Sequence, residues 1–343
     1  MAVTNFIVSS LPAYVQENRD LLIKNFALVG EGTRRRISIQ TGVKGKAAIN
    51  FLDLTPVLQD GSACAFEALD SLTLTQRYIE SAPIKVDGQI CPRTLLGTYA
   101  EYLVRVNATE ESLPFEQYII DAIVREVNKK IEKLIWLGDT SSLDADLKWI
   151  DGFISIAAAD ADVTPVAIAA GSSAYDGILA VYAAMTEEAL ERGGEIYVSP
   201  EIFRAFVQEL VNKNYYHYAG PQAEFPGEFI FPGTDCKVVK TYGLKGDLHI
   251  LGTFAKNLFY GCDVEGDSED IDIWFSKDTR MVRYEVLWNS GVQIAFPEHV
   301  ALGTFASAPV VASCNMCATL GAIADNTAAL ADDDHVFKTK EQA

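Results

Sequence analysis

A stretch between Leu113 and Leu137 has the apolar periodicity of one long amphipathic helix. Its apolar residues recur at steps of three and four positions, which lines one face of an α-helix: Ile120, Ile123, Val127, Ile131, Leu134 and Ile135. Ser112 suits the N-cap, Pro114 is tolerated in the first turn, and Gly138 suits a left-handed C-terminal cap. A helix from Pro114 to Leu137 would be roughly 36 Å long. Few compact domains need so long a rod.

Strand patterns lie on both sides of this helix. Before it, residues 71–80 alternate as a strand, 84–86 form a second short strand, and Asp87-Gly88 predicts a turn. After it come a predicted helix at 174–190, a strand at 195–198, and a helix that Ser199-Pro200-Glu201 opens and that runs to about 212. Strand patterns then follow at 237–240, 248–252, 258–261, 271–275, 282–288 and 291–296. The order predicts an α+β protein.

The charge balance limits the possible partners. Lys and Arg number 28 against 47 Asp and Glu, so the net charge is -19 among 343 residues. Such a chain does not hold DNA or an anionic membrane by bulk electrostatics. The N-terminus lacks the pattern of a signal peptide, no stretch is apolar enough to span a bilayer, and the six cysteines resemble reduced thiols. We therefore expect a protein made in the cytoplasm.

Signals for catalysis or metal binding are weak. The sequence has no Walker motif, G-x-G-x-x-G, G-x-S-x-G or H-E-x-x-H, and its four histidines are scattered. The spacing of Cys314 and Cys317 is more typical of two reduced thiols than of a zinc site or a disulfide. The acidic run 263–272 is more typical of a solvated loop than of a calcium site. The tyrosines of 215–218 favour local packing over stacking on a sugar or base. No cofactor is predicted.

Several short stretches together resemble one protein family. They are LPFEQ at 113–117, IEKLIWLGD at 131–139, DGF at 151–153, VSPEIF at 198–203, PGT at 232–234, and IWFSKD at 273–278, leading to AFP at 295–297. In this order and spacing they resemble the major capsid protein of tailed bacteriophages, with the Hong Kong 97 type fold, and in particular those of phages infecting gut Bacteroidetes. The likeness covers roughly residues 37–300.

The resemblance implies a division of the chain into named parts. Residues 1–40 would be an N-terminal arm, 41–90 an extended E-loop, and 301–343 a C-terminal tail. Residues 91–151 and 270–300 would form a peripheral domain around a spine helix at 114–137, and 152–269 an axial domain.

An E-loop would lie at an interface between subunits. An isolated two-stranded ribbon has marginal stability in water, so we expect it to lie across the surface of a neighbouring subunit. The arginines before it could bind phosphate or a neighbour's carboxylates, or simply form an exposed face beside a strand. The predicted interface residues are Arg34, Arg35, Arg36, Lys44, Lys46, Phe51, Leu52, Leu54, Leu72 and Leu74.

The function that this resemblance implies is structural and non-enzymatic. The chain would assemble with itself into the hexamers and pentamers of an icosahedral virion shell around double-stranded DNA, which it would contact without reading sequence. Portal, scaffold and possible decoration or head-to-tail proteins would be its other partners, and no membrane is involved.

Three different functions stay open at this point. One is an encapsulin-like shell around a cargo enzyme. The second is a carboxylate-based hydrolase using Asp144, Asp146 and Asp151, and the third is a binding module built on the tyrosine-rich loop.

Overall fold

The computed structural model describes residues 33, 35–55, 57–58, 71–91, 115–213, 227–231, 234–263 and 270–309. Within these ranges the helices are α1 (Phe115–Leu137), α2 (Phe153–Ala159), α3 (Ala174–Ala184), α4 (Glu187–Glu191) and α5 (Pro200–Asn212). The strands are β1 (Ser38–Thr41), β2 (Lys46–Thr55), β3 (Ser71–Glu80), β4 (Ala82–Ile90), β5 (Thr164–Ile168), β6 (Gly194–Val198), β7 (Glu228–Ile230), β8 (Lys237–Lys240), β9 (His249–Phe254), β10 (Leu258–Cys262), β11 (Asp270–Ser276), β12 (Met281–Ile294) and β13 (Ala301–Phe305).

The strands form two sheets and a separate ribbon. The longest strand, β12, pairs with β4 along one edge and with β11 and β10 along the other, and β1 joins β10 in parallel. The second sheet has the order β5-β13-β9-β6-β8-β7. Strands β2 and β3 pair with each other as an antiparallel ribbon. The predicted α+β class is confirmed.

The second sheet is buried on both faces, as its central strand β6 shows. Successive side chains of a strand point to opposite sides, and each side of β6 joins a different core. On one side Tyr197 joins the core shared with α1 and the five-stranded sheet. On the other side Ile196 and Val198 join a core with α3 and α5. A strand buried on both faces needs apolar residues at consecutive positions, and residues 196–198 of β6 provide them. This run is the signal by which the sequence predicts the strand.

The long helix is confirmed as one unbroken rod. Its face with Val127, Ile131, Leu134 and Ile135 is buried, as the apolar spacing required. At its C-terminal end the Trp136 ring lies 5.3 Å from that of Phe153 and 5.0 Å from that of Tyr197, measured between ring centres. The predicted caps Ser112 and Pro114 lie outside the described residues.

Gly138 ends this helix for a reason other than the predicted one. It does not adopt a left-handed conformation. Instead, a Cβ atom at Gly138 would lie 2.4 Å from the carbonyl oxygen of Ile150 and 2.5 Å from that of Leu134. Glycine is therefore required because two backbone segments approach each other closely, and the prediction of a left-handed cap is corrected.

Three more local predictions are corrected. The helix at 174–190 is two helices, since Thr186 caps a new one with its side chain accepting a hydrogen bond from the Ala189 N–H. Asp87-Gly88 is no turn but the middle of β4, opposite Glu285 and Tyr284. The strands at 282–288 and 291–296 are the single strand β12.

Strand β13 was missed, because residues 301–305 were assigned to the C-terminal tail. It lies between β5 and β9 inside the six-stranded sheet.

None of the helices in the described ranges combines the length and the apolar character that crossing a bilayer requires.

Candidate assembly surface

The β2–β3 ribbon has two faces of opposite character. Residues that stand directly opposite each other in the ladder share a face, so positions of the same parity belong together. At the end of the ribbon nearest the sheets, which we call the root (residues 46–51 and 76–80), the even positions are exposed and the odd positions are covered by the rest of the chain. The exposed positions are Lys46, Ala48, Asn50, Gln76, Tyr78 and Glu80.

The covered face of the root packs on the chain's own sheet. Ile49 and Ile79 form a small buried cluster with Val43, next to Phe259 on β10. The Phe51 ring lies 4.6 Å from the Phe296 ring, centre to centre. These contacts pack one face of the ribbon root on its own subunit.

The exposed face of the root carries polar pairs. Lys46 donates to Glu80 at 2.8 Å between nitrogen and oxygen, and its ammonium also lies 4.3 Å from the centre of the Tyr78 ring. Gln76 donates to Asn50 at 2.8 Å. These groups are solvated and satisfy one another.

The four leucines predicted at the interface occupy register pairs on the backbone of the same ribbon. Leu52 stands opposite Leu74, and Leu54 stands opposite Leu72. These are even positions, so by strand alternation they belong to the face on which Lys46 and its neighbours lie, away from the packed odd face. Only the backbone of these four positions is described.

Phe51, by contrast, is half-buried and contacts Phe296 of its own chain, and its place at an interface stays a prediction. Sequence patterns alone did not separate Phe51 from the adjacent leucines, although its odd parity was a usable signal.

Arg36, predicted at the interface, is buried within its own subunit in the single chain. Its guanidinium donates to Glu195 at 2.5 Å and also forms an ion pair with Glu228. The Tyr197 hydroxyl donates to the other Glu195 oxygen at 2.6 Å. Burial alone would lower the pKa of Arg36, but the two glutamates outweigh it and raise that pKa. Arg36 therefore ties the beginning of the chain to the six-stranded sheet.

The remaining predicted interface residues are placed more simply. Arg35, Lys44 and Lys46 are exposed. Arg34 lies outside the described residues.

The three carboxylates of the possible hydrolase are not brought together as a reactive site. Asp146 pairs with Lys130 at 2.9 Å, Asp144 lies 3.8 Å from Lys133, and Asp151 accepts hydrogen bonds from Thr140. These are bonds that order the loop after α1.

The tyrosine-rich loop and the cysteine pair receive no structural test. The tyrosines at 215–218 and the cysteines at 314 and 317 lie outside the described residues, as does most of the acidic run 263–272. Within the part of the chain that is described, no group of three or more His, Cys, Asp or Glu residues could hold a metal ion.

The fold defined by these sheets, the long helix and the ribbon is similar to that of chains from phage capsids. One is a chain of the satellite phage P4 procapsid including size determination (Sid) protein, at a TM-score of 0.56 and 14% identity, over 84% of this chain and 98% of that chain. Another is a chain of the capsid of an empty GTA particle, at a TM-score of 0.52 and 12% identity, over 80% of this chain and 90% of that chain. At these identities the likeness is one of fold.

No protein-family model matches this sequence, and no curated protein matches it.

Proposed function

We propose that this chain is the main shell subunit of a tailed bacteriophage, with the Hong Kong 97 type fold, and that it belongs with those of phages infecting gut Bacteroidetes. The likeness in fold to chains of phage capsids supports the first part, and the sequence stretches from LPFEQ to AFP support the second. The proposed role is structural, without substrate or cofactor.

The observation that carries the proposal is the two-faced ribbon. One face of its root is packed on the chain's own sheet, while the opposite face continues into the positions of Leu52, Leu54, Leu72 and Leu74. A two-stranded ribbon gains little stability alone, so four leucines placed by strand parity on the face opposite the packed one would be stabilised by a partner surface. The partner we propose is a second copy of this chain.

Such a contact is heterologous, because the ribbon of one copy lies on a different surface of the next. Repeated contacts of this kind close into rings or shells. We propose that the rings are the hexamers and pentamers of an icosahedral shell that encloses double-stranded DNA. Rotation of subunits would accompany shell expansion. Assembly would take place in the host cytoplasm with portal, scaffold, and decoration or head-to-tail proteins.

The named parts of the chain carry over to this proposal with adjusted limits. Residues 1–40 are proposed as the arm, the β2–β3 ribbon within 41–90 as the E-loop, and α1 with the five-stranded sheet as the peripheral domain. The six-stranded sheet with α3 and α5 is proposed as the axial domain. In this division β4 joins the peripheral domain, and β13 the axial domain.

The test is electron microscopy of the purified full-length chain and of two variants. In one variant Leu52, Leu54, Leu72 and Leu74 are all changed to Ser, and in the control Asn50 and Gln76, on the same face near the root, are changed to Ser. We expect shells from the natural chain and the control, and folded but unassembled subunits from the leucine variant.

A natural chain that stays monomeric at high concentration would contradict the proposal. Shells that form equally well from the leucine variant would reject the ribbon face as the contact. The contents of purified particles separate the two kinds of shell, since packaged DNA supports the phage and a protein cargo supports an encapsulin-like compartment.

A further inference from the structure

The two strands of the ribbon connect to the rest of the subunit at neighbouring residues, Gly45 and Ser81, and we call this point the crossing. Gly45 precedes β2, and Ser81 separates β3 from β4. The Ser81 N–H donates to the Gly45 carbonyl at 2.7 Å, and the Gly45 N–H donates to the Ser81 hydroxyl at 2.9 Å. Gly45 has a φ of 84°, and no atom lies within 4 Å of where its Cβ would be. Gly45 has the features of a hinge residue, because glycine allows the backbone to turn and nothing fills the space beside it, whereas Ser81 packs against Gly291 of β12.

Beyond the crossing, Arg77 reaches from the ribbon to the body of the subunit. Its guanidinium donates to Asp160 at 2.6 Å and to the Ile294 carbonyl at 3.4 Å. Asp160 is the C-cap of α2, and its side chain also accepts a hydrogen bond from the Asp162 N–H. Arg77 thus connects three elements: the ribbon, α2 and β12.

The ion pair lies beside open space. A cleft of about 710 Å³ lies between the ribbon root and the loop that leads into α2, and a second cavity of about 430 Å³ adjoins it. Arg77, Asp151, Ile156 and Gln293 line both. Because this side of the ribbon root borders an open cleft, the body does not pack tightly against it there, and the ribbon has room to change its angle.

The apolar contacts of the root are few. Ile49 and Ile79 are its buried hydrophobic residues, and with Val43 they form a cluster separate from the two large cores, against which Ala47, Phe51 and Phe259 pack. Apolar contacts are also non-directional, whereas a charge-assisted hydrogen bond from a planar guanidinium fixes an orientation. The Arg77 side chain is 25% exposed and that of Asp160 17%, so water screens this pair less than a surface pair.

We propose that Arg77 and Asp160 form a latch that sets the angle of the β2–β3 ribbon on its own subunit, with Gly45 as the hinge residue. Released from Asp160, the ribbon swings about this crossing over the cleft. The latch acts within one chain, so the proposal does not rest on shell assembly.

The hydrogen bonding at Asp160 agrees with this role. Burial would raise the pKa of the Asp160 carboxyl, but the hydrogen bonds from Arg77 and from the Asp162 N–H outweigh burial and lower it. The carboxylate is therefore held in its charged form, which the latch needs.

A matched control lies on the opposite face of the same ribbon. Lys46 and Glu80 form an ion pair of similar length, but their side chains are 54% and 73% exposed and both belong to the ribbon. Lys46→Ala removes a ribbon charge whose ion-pair partner, Glu80, lies on the ribbon and not on the body.

The experiment is a distance measurement by double electron–electron resonance on the full-length chain. Bioorthogonal spin labels replace Leu58, on the segment between β2 and β3, and Leu143, in the loop after α1, both of which are fully exposed. Labelled chain is diluted with unlabelled chain so that only distances within one subunit are read. On a lever of about 40 Å, a swing of about 15° displaces the label by roughly 10 Å.

We expect Arg77→Ala to shift and broaden the distance distribution and Lys46→Ala to leave it unchanged. Arg77→Asp combined with Asp160→Arg should restore much of the original distribution, because the ion pair is rebuilt in reverse. Circular dichroism checks that each variant is folded, and Asp160→Asn replaces Arg77→Ala if the latter does not fold.

An unchanged distribution in Arg77→Ala and Asp160→Asn overturns the proposal, since packing of Ile79 and Phe51 would then suffice. Equal broadening in Lys46→Ala overturns it as well, because the effect would be one of ribbon charge.

Discussion

Gly261 of β10 and Gly291 of β12 are direct cross-strand partners, and the ribbon root lies against both. A Cβ at Gly291 would lie 2.2 Å from the carbonyl oxygen of Glu80, and one at Gly261 would lie 2.8 Å from the Ile79 side chain. The glycine pair leaves the space in which the ribbon joins the sheet.

This relationship predicts unequal effects of two similar substitutions. Gly291→Ala collides with backbone and should lower the free energy of unfolding by about 3 kcal/mol, whereas Gly261→Ala meets a side-chain methyl group of Ile79 at a longer distance and should cost about 1 kcal/mol. Urea unfolding of both variants measures the difference. Gly261→Ala proving the more damaging of the two would contradict this account of the contact.

A second prediction concerns the buried cluster of Arg36, Glu195 and Glu228. Arg36→Met leaves two buried carboxylates without their cation and should cost about 3–5 kcal/mol in the free energy of unfolding. Adding Glu195→Gln and Glu228→Gln to that variant should recover much of the loss, because no uncompensated charge is then buried.

The control for this prediction is Lys129→Met, which removes one partner of the exposed pair between Lys129 and Glu126. Exposed pairs contribute little to stability because water and salt screen them, so the control should differ little from the natural chain. A loss in Arg36→Met no larger than the control's would show that the cluster does not hold this segment.

A third prediction uses the pH dependence of stability. Burial raises the pKa of Glu132, although hydrogen bonds from the Thr33 hydroxyl and the Gly243 backbone act in the opposite direction. A carboxyl whose pKa is higher when folded binds a proton more tightly in the folded state. Its contribution to stability is thus present below the unfolded pKa of 4.5 and is lost as the pH rises through the higher folded value.

Glu132→Gln should therefore weaken the fall in stability as the pH rises from about 4 to about 7. Denaturant unfolding across that range measures it. Glu126→Gln is the control with the opposite sign, because the hydrogen bond from Lys129 lowers the pKa of Glu126 and makes its contribution grow with pH. If both variants changed the pH profile in the same direction, the assignment to burial would be wrong.

Local pattern was sufficient for elements whose character is repeated along the chain. The apolar spacing gave α1, the Ser199-Pro200-Glu201 signal gave the start of α5, and alternation gave β3 over residues 71–80. Pattern was insufficient where a distant contact decided the outcome. Strand β12 continues through residues 289–291 because β4 pairs with it as far as Ser290 and β10 pairs with it from Ser290 onward. The local sequence does not indicate those partners.

The residues of the candidate surface also divide into those placed by local pattern and those placed by distant contacts. The sequence by itself determined the long helix, the alternation of the strands, and the shared strand face of the leucines at positions 52, 54, 72 and 74. Side-chain spacing along one element is a local property. Only the tertiary structure decided that Phe51 meets Phe296, that Arg36 meets Glu195, and that β13 enters the six-stranded sheet. Those outcomes depend on which residues distant in the chain come within a few ångströms of each other, and that depends on how the whole chain packs.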